Sequence, residues 1–346
     1  MEPLPKHILV IRFSAMGDVA MTVPVLKQFV NTYPNIKVTV VTKPFFATLF
    51  KDIPNTEVFK ADVKQKYKGV FGLFKLYKQL RSLQIDAVAD LHNVLRSKIL
   101  RAFFKLGGIS TFKIDKGRAD KKALTRDKNK VFKPLKSTHE RYADVLRVIG
   151  FKINLKPIPK NTTTLNPELV HLLQPSLNKL IGIAPFAAHQ GKQYPLDKMV
   201  AIIETLSKKD HTKVLLFGGG LAEVEVLTKI ASQYDDVICL AGTLEFKEEL
   251  QVISNLNLMI GMDSGNGHLA AMFGVPVLTI WGVTHPYAGF VPFGQPEANQ
   301  LIPDLEKFPK IPTSIYGNKV PNGYEDAMLS IPVEKITKRA IQIIEA

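Results

Sequence analysis

The sequence predicts an α/β protein built as two consecutive doubly wound units, and three observations point there. Short runs rich in Val and Ile alternate with longer stretches of helical period, the pattern of a parallel sheet covered by helices. The length, 346 residues, exceeds what one hydrophobic core usually organises, so two domains of about 150–170 residues are expected. Residues 156–167, Lys-Pro-Ile-Pro-Lys-Asn-Thr-Thr-Thr-Leu-Asn-Pro, combine prolines with polar side chains and lack helical period, as a linker would. The expected domains are residues 1–160 and 161–346.

In the first half, residues 8–13, 37–41 and 86–90 read as strands. The first runs into a glycine-containing turn at Gly17-Asp18, and Thr22-Val-Pro24 then opens a helix with proline in its first turn. Residues 67–81 mix aromatics with cations; the helical reading packs Val70, Phe74, Tyr77 and Leu80 into the core, and contact with a membrane surface is the competing reading. Residues 112–136 hold ten basic and three acidic side chains with little apolar period, which predicts a mobile loop. In the second half the strands are 180–184, 213–217, 237–239, 258–260 and 277–281. Apolar residues at Val333, Ile336, Ala340, Ile343 and Ile344 predict a terminal amphipathic helix.

Lys and Arg total 46 against 31 Asp and Glu, a formal net charge of +15 that calls for an anionic partner or surface. Residues 1–160 carry 32 basic and 12 acidic side chains, whereas residues 161–346 carry 14 and 19. The excess therefore belongs to one half. The single cysteine, Cys239, excludes a disulfide framework and a Cys-based zinc site and fits a reducing compartment. The apolar run at residues 7–11 is cut short by Arg12, too soon for a signal peptide, and no stretch approaches the ~20 apolar residues of a membrane span. A cytoplasmic protein with at most peripheral membrane contact is expected. A nucleic-acid binder would share the charge, but the basic residues come without a recognition-module pattern or a regular aromatic stacking platform.

Several motifs carry chemistry. Open α/β sheets bind ligands at the carboxyl ends of their strands, which is where Gly17 and Asp18 fall. Asp18 is either a turn or capping residue or a general base within reach of an acceptor hydroxyl. The segment Leu258-Met-Ile-Gly-Met-Asp263-Ser264-Gly265-Asn266-Gly267-His268-Leu-Ala-Ala runs from a strand through a small polar loop into an Ala-rich helix. Such a loop aims free amides at an anion such as a diphosphate, and the helix dipole adds to the attraction. The plainer reading leaves Asp263 and Ser264 as caps and His268 as a satisfied helix residue. Lys213-Val-Leu-Leu-Phe-Gly218-Gly219-Gly220-Leu-Ala-Glu223 approaches the dinucleotide fingerprint but has Glu223 in place of its last glycine. What survives is an acid at a helix start, suited to ribose hydroxyls, with Glu225 competing and a solvated helix face as the plain alternative. Lys192, in Pro185-Phe-Ala-Ala-His-Gln-Gly-Lys192-Gln-Tyr-Pro195, follows another strand and is placed to meet the same anion as a point charge. There is no Asp-x-Asp pair, His-x-x-x-His, Cys cluster or Walker loop, so no metal or other cofactor is expected and the diphosphate charge would fall to amides, Lys192 and His268.

Taken in order, these pieces resemble glycosyltransferase family 9, the bacterial lipopolysaccharide heptosyltransferases. Ile-Arg-Phe-Ser-Ala-Met-Gly-Asp18-Val looks like the family's opening strand and loop, and Asp90-Leu-His-Asn-Val-Leu-Arg96-Ser97 is similar to its Asp-x-Gln-x-x-x-Arg-Ser element. Ser137-Thr-His139-Glu-Arg141-Tyr, Leu240-Ala-Gly242-Thr243 and Asp263-Ser-Gly-x-x-His268 also fall in family order. The resemblance implies the GT-B architecture, two Rossmann-like domains facing a central cleft, with acceptor on the N-terminal half and ADP-sugar on the C-terminal half. It implies metal-independent, inverting transfer of heptose from ADP-L-glycero-D-manno-heptose to an anionic, lipid-linked inner-core sugar at the inner membrane face. Carried over, Asp18 is the general base. Lys192 and the amides of Ser264 and Gly265 bind the diphosphate, Glu223 the ribose, and Asp263 and His268 the sugar and phosphate. Arg12, Ser14, Gly17 and Arg96 fall to the acceptor.

The sequence departs from the family at His92, where glutamine is usual, at Asn266-Gly267 for the common Pro-Met, at His285 after Thr284 where Asp is usual, and at Ala327-Met328 where the family has Cys-Met. Another nucleotide-sugar, a nucleotide-sugar epimerase and an inactive sugar-binding relative stay open as alternatives.

Overall fold

The computed structural model describes residues 4–346. Their contacts divide the chain into two compact units, one comprising the chain up to Lys116 together with Lys136–Lys156, the other Gly117–Leu135 together with Pro157–Ala346. Residues 151–166, which include most of the proline-rich stretch, form neither helix nor strand.

The first unit is a five-stranded parallel sheet of β1 (His7–Ile11), β2 (Lys37–Thr42), β3 (Thr56–Lys60), β4 (Ala87–Asp90) and β5 (Ser110–Lys113), in the order β3-β2-β1-β4-β5. Its helices are α1 (Met16–Ala20), α2 (Thr22–Thr32), α3 (Gly69–Arg81), α4 (Leu95–Leu106) and α6 (Thr138–Ile149); α5 (Arg118–Thr125) belongs to the other unit. The central strands β1 and β4 are buried at every position, as helices on both faces of a parallel sheet require. Strand order reverses between β1 and β4, so the carboxyl ends of these two strands, at Ile11 and Asp90, mark the crevice where such sheets bind ligands.

The second unit is a six-stranded parallel sheet in the order β11-β10-β9-β6-β7-β8. Its strands are β6 (Lys179–Ala184), β7 (Thr212–Leu216), β8 (Val237–Cys239), β9 (Leu258–Met262), β10 (Val277–Ile280) and β11 (Gln300–Leu301). Helices α7 (Pro167–Leu173), α8 (Leu196–Ser207), α9 (Leu221–Ala231), α10 (Phe246–Asn255), α11 (Gly265–Ala271) and α12 (Val333–Glu345) complete it. Ile181, Ile183, Leu258, Ile260 and Leu278 form one core with Ile336, Ala340 and Ile344 of the terminal helix. Here the order reverses between β6 and β9.

The two parallel α/β units agree with the expectation; several details do not. Residues 112–136 are not a mobile loop: they contain the end of β5, helix α5, and a stretch fastened to the second unit. The Lys130 ammonium donates to the Pro312 and Lys310 carbonyls, the first at 2.8 Å, and the Leu135 amide donates to the Tyr287 carbonyl at 2.9 Å. Helix α3 buries Leu73, Leu76 and Leu80 and leaves Val70, Phe71 and Phe74 exposed, because the leucine stripe, one residue away from the predicted one, faces the sheet. Gly17 and Asp18 lie not in a turn but in the short helix α1. Strands β3, β5 and β11 had no apolar run to betray them, being short and, for β3 and β5, half-exposed at the two edges of their sheet.

Candidate active site

In the first unit the carboxyl end of β1 delivers Arg12, Phe13 and Ser14, and α1 then carries Gly17 and Asp18. Arg12 is buried; one guanidinium nitrogen donates to the Leu91 carbonyl at 2.8 Å, and another pairs with Asp18 Oδ2. That clamp leaves Asp18 about one-third exposed, at 33%, with Oδ1 available to accept from a hydroxyl. Tyr142 of α6 reinforces the arrangement: its hydroxyl donates to the Asp18 carbonyl at 3.2 Å, and the Arg12 guanidinium carbon sits 5.8 Å from its ring centroid. Burial pushes the Tyr142 phenol up, so it stays a donor.

The neighbouring strand end contributes His92. Asp90, fully buried, accepts from the His92 and Asn93 amides at 3.0 and 2.8 Å and so shapes the loop that leads into α4. The Phe13 amide donates to His92 Nδ1 at 3.4 Å, which leaves Nε2 as the protonated nitrogen of a neutral ring. Burial, followed by the charges of Arg12, Lys116, Lys43 and Arg96, pushes the imidazole down to about 3. These cations follow β1, β2, β4 and β5, so four strand ends surround the same crevice with positive charge. Arg96 stands exposed on the first turn of α4 and Ser14 is half-buried.

In the second unit Lys192 and Asp263 come together, the first from the short 3-10 turn Gln190–Lys192 after β6 and the second from the end of β9. Lys192 Nζ lies 2.7 Å from Asp263 Oδ2 and donates to the Asp263 carbonyl at 2.9 Å, both side chains being largely buried. The lysine is thus fixed as a point charge at the switch point rather than free on the surface. Ser264 occupies the N-cap of α11 but makes no side-chain cap bond, and its buried hydroxyl finds no hydrogen-bond partner among the described residues. Gly265 opens the helix, His268 is buried on it, and Gly267 lets it approach β10, since a Cβ there would meet Val277 Cγ1 at 3.3 Å.

Glu223, in the first turn of α9, accepts from the Gly219 amide at 2.8 Å and so ties down the glycine turn after β7; Glu225 is exposed. One carboxylate oxygen therefore does a structural task, and the other remains for a ligand.

Sequence reading missed a convergence of three loops at Lys192. A Cβ on Gly282 would lie 2.0 Å from the Gly191 carbonyl oxygen, one on Gly191 2.6 Å from that of Gly317, and one on Gly317 2.5 Å from Lys192 Cγ. The only signal was three scattered glycines, whose meaning is tertiary. Beyond them Thr284 and His285 follow β10, both buried, and the Tyr287 amide donates to His285 Nδ1 at 3.1 Å. Phe132 packs on this ring at 5.1 Å between centroids, and burial together with Lys130 pushes the imidazole down to about 4. Among the described residues, no group of three or more His, Cys, Asp and Glu side chains could hold a metal ion.

Comparison with known proteins bears on this geometry. Residues 73–311 match the family described as glycosyltransferase family 9 (heptosyltransferase). The chain belongs to that family and is a glycosyltransferase. It is 24% identical over 294 residues to the lipopolysaccharide core heptosyltransferase OpsX of Haemophilus influenzae, covering 82% of this chain and 80% of that one. Among solved structures, a glycosyl transferase family 9 protein from Veillonella parvula matches with a TM-score of 0.75 at 18% identity, covering 100% of this chain and 99% of that one. The Escherichia coli heptosyltransferase WaaC with ADP matches with a TM-score of 0.67 at 17% identity over 97% and 99% of the two chains. The fold of this family 9 member is therefore that of the GT-B heptosyltransferases, each of its two parallel-sheet units having its counterpart there.

Proposed function

We propose that this glycosyltransferase moves heptose from ADP-L-glycero-D-manno-heptose to a Kdo- or heptose-bearing, lipid-linked acceptor of the lipopolysaccharide inner core, with inversion and without a metal. The observation that carries the reading is Asp18, a carboxylate with one oxygen clamped by Arg12 and the other open, at the switch point of the basic unit. Asp18 Oδ1 accepts the proton of the acceptor hydroxyl as that oxygen attacks the anomeric carbon, and the bond from that carbon to the ADP phosphate oxygen breaks. A single displacement of this kind inverts the anomeric centre. Arg12, Ser14, Gly17 and Arg96 line the acceptor, and the cations around His92 match its anionic groups.

The donor belongs to the second unit. Lys192, positioned by Asp263, and the amides of Ser264 and Gly265 meet the diphosphate, whose charge grows as ADP leaves; the unspent Ser264 hydroxyl adds a further donor. His268 and Asp263 face sugar and phosphate, and the second oxygen of Glu223 takes the ribose. The protein acts in the cytoplasm, at the inner face of the membrane that holds its acceptor.

The test is ADP release from ADP-heptose with a deacylated core acceptor. Asp18→Asn, a neutral isostere, should lower turnover by about 100-fold or more while ADP affinity stays within twofold. Unchanged turnover removes the base assignment, and a wild-type protein that neither binds ADP nor releases it removes the transferase reading.

A further inference from the structure

The helix pair α3–α4 presents apolar side chains to solvent that a folded monomer has no reason to display. Phe71 is 92% exposed, Leu106 86% and Leu95 73%, with Val70 and Phe74 also exposed. They are not scattered. On α3, Val70, Phe71 and Phe74 share one face, opposite the buried Leu73 and Leu76 side. On α4, Leu95, Ala102 and Leu106 lie about two and three turns apart and fall on one line along the helix. Phe74 stacks edge-on against Phe103 at 5.3 Å, which joins the two stripes into a single surface. Patches of this extent mark a place where something else binds.

Charge identifies the partner. Between Asp62 and Asp86 the chain has six basic residues and no acidic one, and between Asp90 and Asp115 five and none. Lys64, Lys75, Lys78, Lys98 and Lys105 are exposed around the apolar stripes, and the Lys78 ammonium sits over the Phe74 ring, 5.0 Å from its centroid. A second copy of the same face would bring like charges together, and a nucleic acid has no use for exposed leucines. An anionic bilayer satisfies both features, since apolar tips enter the acyl boundary while lysines meet lipid phosphates.

We infer that the α3–α4 face is a membrane-docking surface that inserts Phe71, Leu95 and Leu106 into an anionic lipid bilayer. This deepens the proposed function, because a lipid-linked acceptor would be met at that surface, and it rests on that reading for its purpose only. The acidic residues that flank the two helices in sequence, Asp62, Asp86, Asp90 and Asp115, stand outside them, and Asp90 is buried. Docking is therefore governed by salt.

The experiment is co-sedimentation of the full chain with vesicles of phosphatidylethanolamine and phosphatidylglycerol at 70:30 (about the charge density of an anionic leaflet), without donor or acceptor. Wild type should bind at low salt, release as salt rises, and ignore pure phosphatidylcholine vesicles. Phe71→Ser with Leu106→Ser, both at exposed positions and so harmless to folding, should weaken binding about tenfold or more, with ADP affinity and turnover of a deacylated acceptor unchanged. Lys75→Glu with Lys78→Glu should do the same. Overturning results are binding that survives both pairs of changes, equal binding to phosphatidylcholine, or a wild type that turns over the deacylated acceptor yet ignores anionic vesicles. The last outcome removes docking and leaves the transferase reading intact, whereas vesicle binding without ADP release removes the transferase reading alone.

Discussion

At the scale of single residues, the site is held by groups that are each committed on one side and open on the other. Asp18 gives one oxygen to Arg12, Glu223 one to the Gly219 amide, and His92 one nitrogen to the Phe13 amide. Such half-spent groups are pre-oriented for a ligand without being consumed by the fold. His92 also makes a stability prediction. Its folded pKa, about 3, lies below the ordinary 6.5, so between these values the unfolded chain takes up a proton that the folded chain refuses. Stability is then complete above about pH 6.5 and declines as pH falls through that window. From pH 6.5 to 5 one such histidine costs up to about 2 kcal/mol. His92→Gln, which keeps an acceptor for the Phe13 amide, should lose less stability by about that amount over the same interval, read as urea midpoints at the two pH values. Equal acid sensitivity in both proteins would show that His92 is not the titrating group. His285 adds a second contribution of the same sign, which the variant leaves in place.

At the scale of elements, the loops after β6, β10 and β11 converge because glycines permit close backbone approach. Gly282→Ala forces its Cβ to within 2.0 Å of the Gly191 carbonyl oxygen, and neither atom is the end of a flexible side chain. The backbone has to move, at about 1–3 kcal/mol, and the turn holding Lys192 moves with it. ADP affinity should fall about tenfold by calorimetry, whereas Gly219→Ala, with open space around its Cβ, should leave it within twofold. This contrast also explains what could be read beforehand. Buried central strands such as Ile-Gly-Ile-Ala in β6 announce themselves as apolar runs, and the Asp-Ser-Gly loop after β9 stands out as a small polar motif between a strand and a helix. Edge strand β3, Thr-Glu-Val-Phe-Lys, looks like surface because half of it is surface. In α3 two apolar stripes compete, and only the sheet decides that Leu73 and Leu76 go inside while Phe71 and Phe74 stay out. Pairing of Lys192 with Asp263, and of Arg12 with Asp18, joins positions on different loops or elements, which spacing along a chain does not encode.

At the scale of the whole molecule, chain order and compact units differ, and the difference changes the charge account. Counted over the units, the first carries 24 basic and 10 acidic residues and the second 22 and 21, because Gly117–Leu135 takes its lysines to the second unit. Near-neutrality of that unit would leave recognition of the proposed donor to local groups, while the positive excess stays with the unit that carries Asp18 and the α3–α4 face. The transferred segment is held by Lys130, by the Leu135 amide and by Phe132, whose ring meets His285 at 5.1 Å and Tyr287 at 5.0 Å between centroids. Phe132→Ala removes the apolar part of that anchor. Since Phe132 is about half-exposed, the cost should be about 1–2 kcal/mol rather than that of a core aromatic. If the segment is a structural part of the second unit, that cost appears locally. Amide exchange should quicken about tenfold at Ala288 and Leu135 while amides of β1 and β4 are unaffected. Exchange that quickens equally in both units would mean that Phe132 supports the molecule globally. Exchange unchanged at Ala288 would mean that the segment only rests on the loop after β10 and that residues 117–135 contribute nothing to holding Thr284 and His285 in place.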